Sequence, residues 1–306
     1  IPSSTTLSAG GYLILAVDNN NYSGSLDWGS GALANTGEQI TLTDASSNVI
    51  DDLEYDDNSA WGSNADGGGS SLELIIATAN NSLSGSWSAS STTNGTPGTA
   101  NSVHGAVITG SSDHFRMMSS PVAGQIYSDL LSELWTQGMT GADVTSGVNN
   151  VWTYSGTGWT DVTDISGSGS GASLTAGQGF LVYVFTDTDF DGDDDLPVTL
   201  SISGTANTSD GDVTTTYDAN TTGGVTSSGW NLLGNPYAST IDADASGSLF
   251  DDNTTNFNEV VYVWDSQAST PAYISWNESS GSLTNGLIAP YQGFWVQGKS
   301  SSATTY

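Results

Sequence analysis

The sequence predicts an all-β protein: a first β domain followed by two related β-sandwich modules, with one short helix. Three observations carry that expectation. Short apolar or alternating runs are punctuated along the chain by Gly, Asn, Asp and Ser, the pattern of antiparallel sandwiches. Hydrophobic residues make up 36% of the 306 positions, enough for two or three cores and too many for a disordered acidic chain. Finally, one stretch of the second half repeats another at a nearly constant offset.

In chain order, strands are expected over residues 12–17, 39–43, 49–55, 72–76, 151–154, 180–185, 198–202, 230–233, 260–264, 273–276 and 293–296. The helix is expected over 128–137. Ser128-Asp129 offers a cap, Leu130, Leu131, Leu134 and Trp135 share a face, and Gly138 stops it. The run Gly95-Thr96-Pro97-Gly98-Thr99-Ala100-Asn101 reads as a linker, because Gly and Pro there deny both ladder and helix. It closes a first domain at 1–103.

That first domain carries Leu7-Ser8-Ala9-Gly10-Gly11-Tyr12-Leu13-Ile14-Leu15, then Leu33-Ala34-Asn35-Thr36-Gly37-Glu38-Gln39-Ile40-Thr41-Leu42, then Asp66-Gly67-Gly68-Gly69-Ser70-Ser71-Leu72-Glu73-Leu74. With the closing Gly95-Thr96-Pro97-Gly98, these ordered motifs resemble a bacterial lamin-tail domain, a small immunoglobulin-like sandwich. Members usually carry two or three strands before the Ala-Gly-Gly-Tyr motif, and almost nothing precedes it here. The resemblance therefore implies an unpaired sheet edge and a partly open apolar face. An extended segment of another copy could cover it, the candidate donors being the ends Ile1–Ser8 and Ser300–Tyr306.

The repeat begins with Phe115-Arg116-Met117-Met118-Ser119-Ser120-Pro121 against Trp230-Asn231-Leu232-Leu233-Gly234-Asn235-Pro236, an offset of 115. Ile126 meets Ile241, and Leu134-Trp135 meets Leu249-Phe250, at the same offset. Gln178-Gly179-Phe180-Leu181-Val182 meets Gln292-Gly293-Phe294-Trp295-Val296 at 114. Two modules follow, 104–209 and 210–306, expected to pack against each other. Both resemble the Gly-Trp-Asn-Leu-Leu-Gly-Asn-Pro-Tyr modules of large secreted proteins of Bacteroidota and their relatives. That resemblance implies export through the type IX system and an extracellular or cell-surface location. A start at Ile1 with no signal peptide, and an end at Tyr306 without a sorting domain, fit a mature or truncated product.

Charge narrows the partners. Thirty-three carboxylates face two basic residues, Arg116 and Lys299, for a net charge of -31. Such a chain repels phosphate backbones and anionic lipid, so neither nucleic acid nor a membrane is expected as a partner. No run approaches the roughly 20 apolar residues of a membrane-spanning helix. There is no Cys.

No catalytic residues are expected, and the chain is read as a non-enzyme. A serine triad would have to use His104 or His114, and no nucleophile elbow accompanies either. Asp51-Asp52, Asp56-Asp57 and Asp251-Asp252 are adjacent in sequence, so in a strand they point to opposite faces. One motif stands out: Asp187-Thr188-Asp189-Phe190-Asp191-Gly192-Asp193-Asp194-Asp195. Asp187, Asp189, Asp191, Asp193 and Asp195 alternate around Gly192, as hard oxygen ligands of a weak calcium loop would. Val198 stands where an EF-hand carries its bidentate Glu, so extracellular repeat modules are the nearer likeness. Among the Trp residues, Trp152, Trp230, Trp264, Trp276 and Trp295 fall in strand patterns and are expected in the core. Trp28, Trp61 and Trp159 fall in expected loops and are candidates for glycan contact. The expected function is a structural subunit of an extracellular filament or surface assembly, with copies of itself as partners in a head-to-tail polymer. The alternative is a non-polymerising adhesion or glycan-binding region of a larger secreted protein.

Overall fold

The computed structural model describes residues 1, 5–7, 11–18, 20, 22–29, 32–57, 61, 65–76, 81–122, 124–156, 158–167, 173–204, 207, 229–245, 249–250 and 257–299. Over its described residues the chain is nearly all β, with several sheets and little helix, in two compact units, Ile1–His104 and Gly105–Tyr306.

Among its described residues the first unit has three two-stranded ladders. Strand β1 (Leu15–Ala16) pairs in parallel with β2 (Leu26–Asp27). Strands β3 (Glu38–Thr43) and β4 (Val49–Tyr55) form an antiparallel hairpin, as do β5 (Ser70–Leu74) and β6 (Trp87–Thr93). Asp44 shapes the first hairpin's turn: its Oδ1 accepts the N–H of Ser46 and of Asn48, each at 2.8 Å. Gly37, at φ +96°, enters the hairpin where a Cβ would collide with the Tyr55 carbonyl oxygen. Few side chains are withdrawn from water. Among the described residues of this unit, the buried hydrophobics are Ala16, Ile75 and Val103. Leu42, Val49 and Ile50 are 47%, 60% and 62% exposed.

The expected linker is tied down by a carboxylate. Glu73, 4% exposed on β5, accepts the Thr96 hydroxyl at 2.7 Å through Oε1. Its Oε2 accepts Ser102 N–H at 2.7 Å, Ser102 Oγ–H at 2.9 Å and Val103 N–H at 3.2 Å. Asn101 Nδ2 adds a 2.8 Å bond to the Leu74 carbonyl.

The second unit contains two four-stranded antiparallel sheets of the same design. In the first, β8 (His114–Met118), β11 (Phe180–Val184), β9 (Val151–Tyr154) and β10 (Trp159–Asp161) lie in that order. In the second the order is β13 (Trp230–Gly234), β18 (Gly293–Gln297), β15 (Val261–Asp265), β16 (Ala272–Trp276). Register repeats as well as order. Met118 pairs with Phe180 as Leu233 pairs with Phe294, and Leu181 with Trp152 as Trp295 with Tyr262. Smaller ladders complete the unit: β7 (Val103–Ile108) beside β12 (Val198–Ser203), and β14 (Ile241–Asp242) beside β17 (Leu287–Ile288).

Strand alternation divides the buried side chains among three clusters. Phe180, Val182 and Val184 face one core, with Leu130, Leu131 and Leu200. Phe294 and Val296 face a second, with Phe250, Phe257 and Ile288. On the opposite faces Met117, Leu181 and Tyr154 of the first sheet meet Leu232, Trp295 and Trp264 of the second. A reciprocal exchange joins the sheets. Met118 bridges Gln292 and Leu233 bridges Gln178; Ser119 N–H donates to Tyr291 O at 3.0 Å, and Gly234 N–H to Gly177 O at 2.7 Å.

The helix is shorter than expected. It spans α1 (Tyr127–Leu130), not 128–137. Its N-cap is Ile126 with no side-chain cap bond, so Ser128-Asp129 lies inside the first turn rather than capping it. The apolar periodicity is real, since Tyr127, Leu130, Leu131 and Leu134 are all buried. Leu131 already leaves helical geometry, at φ −100° and ψ 13°. Asp143 then takes the Thr136 N–H at 2.8 Å and Asn150 the Gln137 N–H at 2.9 Å, partners that replace the helical ladder.

Candidate metal centre and aromatic face

The acidic loop leaves β11 and returns to β12. Asp195 N–H donates to Thr186 O at 2.8 Å, closing its base. Asp195 Oδ2 accepts Thr188 N–H at 2.7 Å and the Thr188 hydroxyl at 3.0 Å, and Asp187 Oδ2 accepts Gly192 N–H at 3.0 Å. Gly192, at φ +111°, turns the chain between them. These contacts place one carboxylate oxygen each from Asp187, Asp189 and Asp195 within 4.8 Å of one another. Oxygens around one calcium ion, held at about 2.3–2.6 Å, are spaced roughly 3–5 Å apart. Asp187 Oδ1 is buried and has no hydrogen-bond partner.

Asp191 and Asp193 stand outside that trio. Asp193 N–H donates to Asp191 Oδ1 at 3.2 Å. A hydrogen bond between the two side chains raises the Asp193 pKa and lowers that of Asp191. Repulsion from Asp191, Asp195 and Asp187 adds to the rise. Alternation around Gly192 found the loop but could not say which carboxylates converge; contacts to Thr188 and Gly192 decide that.

Phe190, inside the loop at φ +61° and 52% exposed, lies 4.4 Å from the Trp135 ring and 5.4 Å from Phe185. The row continues from Phe185 to Tyr183 at 5.1 Å, Tyr183 to Phe115 at 4.9 Å and Phe115 to Trp152 at 6.0 Å. Phe115 is 42% exposed. Sequence reasoning missed this face, although Tyr183 and Phe185 sit two residues apart on one side of a strand pattern, which was the available signal.

The Trp assignments divide. Trp295 is buried between the sheets, while Trp152, Trp230, Trp264 and Trp276 are only half-buried. Trp28 is exposed, and Trp61 rests 6.4 Å from Trp87. Trp159 lies on β10 rather than in a loop, because it pairs with Tyr154 at the sheet edge.

Neither histidine bonds a side-chain hydroxyl among the described residues. His104 and His114 are both buried, and desolvation lowers both pKa values. His114 Nδ1 lies 2.9 Å from the Ser112 carbonyl. Asp51 accepts from Asn81 and Asp52 from Gln39, so that pair serves separate contacts. Asp56 and Asp57 are exposed, and Asp251-Asp252 lies outside the described residues. The fold couples Asp242 with Asp244 instead, two residues apart. A bond from Trp276 Nε1 at 2.8 Å lowers the Asp244 pKa, and the hydrogen bond to Asp244 raises that of Asp242.

Residues 98–306 match the family described as "Domain of unknown function (DUF8693)". The chain belongs to that family. The DUF8693 match takes in both four-stranded sheets and the acidic loop together. No curated protein and no solved structure matches the chain.

Proposed function

We propose that the chain is a structural subunit of an extracellular bacterial filament or surface assembly, joined head to tail by strand addition. The observation that carries this reading is the state of the first unit. Its β3–β4 hairpin pairs with no further strand among the described residues, and its apolar side chains Leu42, Val49 and Ile50 face water. Unpaired N–H and C=O groups beside exposed apolar surface form a template for another strand. A heterologous contact of this kind propagates into fibres unless its rotation closes a ring. The lamin-tail and type IX-secreted likenesses fit the same reading.

Screening is part of the test, because copies carrying -31 charges repel one another at low salt. In high salt with calcium, the purified chain is expected to form fibres under the electron microscope. V49K combined with I50K, on exposed positions, should leave the fold intact and the protein monomeric. A wild-type chain that stays monomeric under these conditions overturns the reading, as does a double variant that polymerises normally.

Calcium at Asp187, Asp189 and Asp195 belongs to the same proposal. The converging oxygens and the unpartnered Asp187 Oδ1 support it. A site of extracellular type binds at roughly 10⁻⁴–10⁻³ M. Raising calcium from micromolar to about 10 mM should then lift the melting temperature of the second unit by about 3–8 °C. D187N combined with D189N should abolish the rise. An unchanged melting profile with chelator and with calcium removes the metal from the reading.

The aromatic row from Trp135 to Trp152 favours a second reading, a non-polymerising adhesion region that stacks glycans on exposed rings. Its rings lie in the second unit, so it stands if the chain proves monomeric.

A further inference from the structure

The chain's single arginine lies in a cleft between the two sheets of the second unit. Arg116, on β8, lines a cavity of about 250 Å³ with Val263, Trp264, Asp265, Ile274 and Leu283. A guanidinium carries five N–H donors and stays protonated in proteins. Arg116 makes no hydrogen bond or ion pair with any described residue, in a chain with thirty-three carboxylates. Desolvation lowers its pKa, a sign that burial is not compensated by a neighbouring anion.

The acid in the cleft lining, Asp265, has one oxygen committed to its own turn. Asp265 Oδ1 accepts the N–H groups of Gln267 at 2.9 Å and Ala268 at 3.1 Å, which shape the turn after β15. The indole N–H of Trp264 is a second donor in the same wall, buried and without a partner. Two unpaired donors therefore border one cavity whose other walls are aliphatic at Val263, Ile274 and Leu283 and polar at Ser266, Gln267 and Gln292. Leaving such donors unsatisfied is costly, and a cation held against apolar walls favours a desolvated anion over water.

We infer that this cleft binds a carboxylate carried on a compact apolar body, with Arg116 holding the anion and Trp264 donating to it. The volume admits about ten non-hydrogen atoms, given roughly 20–25 Å³ for each, and lies below the roughly 300–1,000 Å³ of drug-sized ligand pockets, so the ligand is small. A free aromatic or aliphatic acid and the carboxyl end of a peptide share this chemistry. Sugar acids fit less well: Ser266, Gln267 and Gln292 meet only part of a hydroxyl-bearing ring, and Val263, Ile274 and Leu283 leave its other hydroxyl groups without partners. The inference is independent of polymerisation by the first unit and of the aromatic row.

Titration of the full chain with phenylacetate, followed by the indole N–H resonances in nitrogen-15 spectra, tests it. W264F identifies the Trp264 resonance. Phenylacetate should shift that signal saturably, while phenylacetamide, which lacks the charge, should bind at least tenfold more weakly to the unaltered chain. R116Q should weaken phenylacetate at least tenfold with the other indole signals in place. N-acetyl-alanyl-phenylalanine with a free carboxyl end separates the sources: binding tighter than phenylacetate assigns the cleft to peptide ends, and weaker binding assigns it to free acids. Equal binding of acid and amide, no shift with either acid, or preference for glucuronate overturns the inference. The acid-against-amide comparison needs no variant, so misfolding of R116Q cannot rescue it.

Discussion

E73Q is expected to unfold the first unit while the second stays folded. Glu73 is a buried anion with four donors converging on it, three of them on Oε2. Glutamine keeps the size but turns one oxygen into an N–H group. With its N–H2 toward Thr96, whose hydroxyl rotates to accept, the amide keeps the Ser102 and Val103 donors only on a neutral oxygen; turned the other way, it sets a donor against the N–H groups of Ser102 and Val103. Bonds to a charged acceptor are roughly twice as strong as neutral ones, so losing the charge under four of them puts about 2–4 kcal/mol at stake overall. That loss falls on a unit whose described residues bury only Ala16, Ile75 and Val103 as hydrophobics. Calorimetry should show the transition of the first unit lost or lowered by more than 10 °C, with the second retained. Exposed E54Q is the control and should melt within a degree or two of the unaltered protein. An E73Q melting curve matching that control would mean the 96–103 segment is not held by Glu73.

The strand pattern was legible because period-2 alternation is a local property. Residues 49–55 and 151–154 are strands over the same bounds in the structure. Strands β6 and β7 were not foreseen, and their sequences explain why. Trp87–Thr93 is mostly Ser and Thr, and Val103–Ile108 is interrupted by Gly105, so neither presents an apolar run. The helix failed for the opposite reason. Leu130, Leu131 and Leu134 are spaced as a helix requires and are buried, yet side chains of Asp143 and Asn150 claim the backbone N–H groups beyond the first turn. Nothing local announces partners that far along the chain. Likewise Gly95–Asn101 looked like free linker because Gly and Pro describe backbone freedom and say nothing of Glu73, some twenty residues earlier.

The repeat was legible at its ends and not in its middle. Offsets of 115 and 114 located β8 with β13 and β11 with β18. The third pair, β9 with β15, lies at an offset of 110, set by Trp152 and Tyr262 beside Leu181 and Trp295. Only hydrogen-bond register recovers that equivalence across a changed spacing. The acidic loop was visible as a motif because six Asp in nine residues is a local signal. The Arg116 cleft was not. Its walls come from strands and loops more than 140 residues apart, and an arginine in an acidic chain reads in sequence as paired.

Glycines at the joint between the sheets should be the least replaceable residues of the second unit. G179A is expected to push the two sheets apart at this joint and lower their stability. Gly179 sits in ordinary backbone geometry, so its role is close approach rather than an unusual φ. A Cβ there would overlap the Leu233 carbonyl oxygen and lie 2.8 Å from Leu232 Cγ. The carbonyl belongs to β13, whose neighbour Gly234 donates across the joint to Gly177 at 2.7 Å, so the strand cannot back away without losing that bond. Gly293, its counterpart in the repeat, meets Met117 C and Cβ at 3.0 Å from the reciprocal side. Forced overpacking costs about 1–3 kcal/mol at one site. Loss of the cross-sheet bonds and exposure of Trp295 would add to it at Gly179, and less at Gly293, where the contact is looser. Melting should therefore fall by roughly 3–10 °C in G179A and by less in G293A. G158A is the control: no atom lies within 4 Å of its added methyl and its φ is unstrained, so stability should change by under about 0.5 kcal/mol. Tryptophan fluorescence should move to the red in G179A as Trp295 meets water. A G179A protein that melts with G158A and keeps its emission would show that the sheets do not meet through this joint.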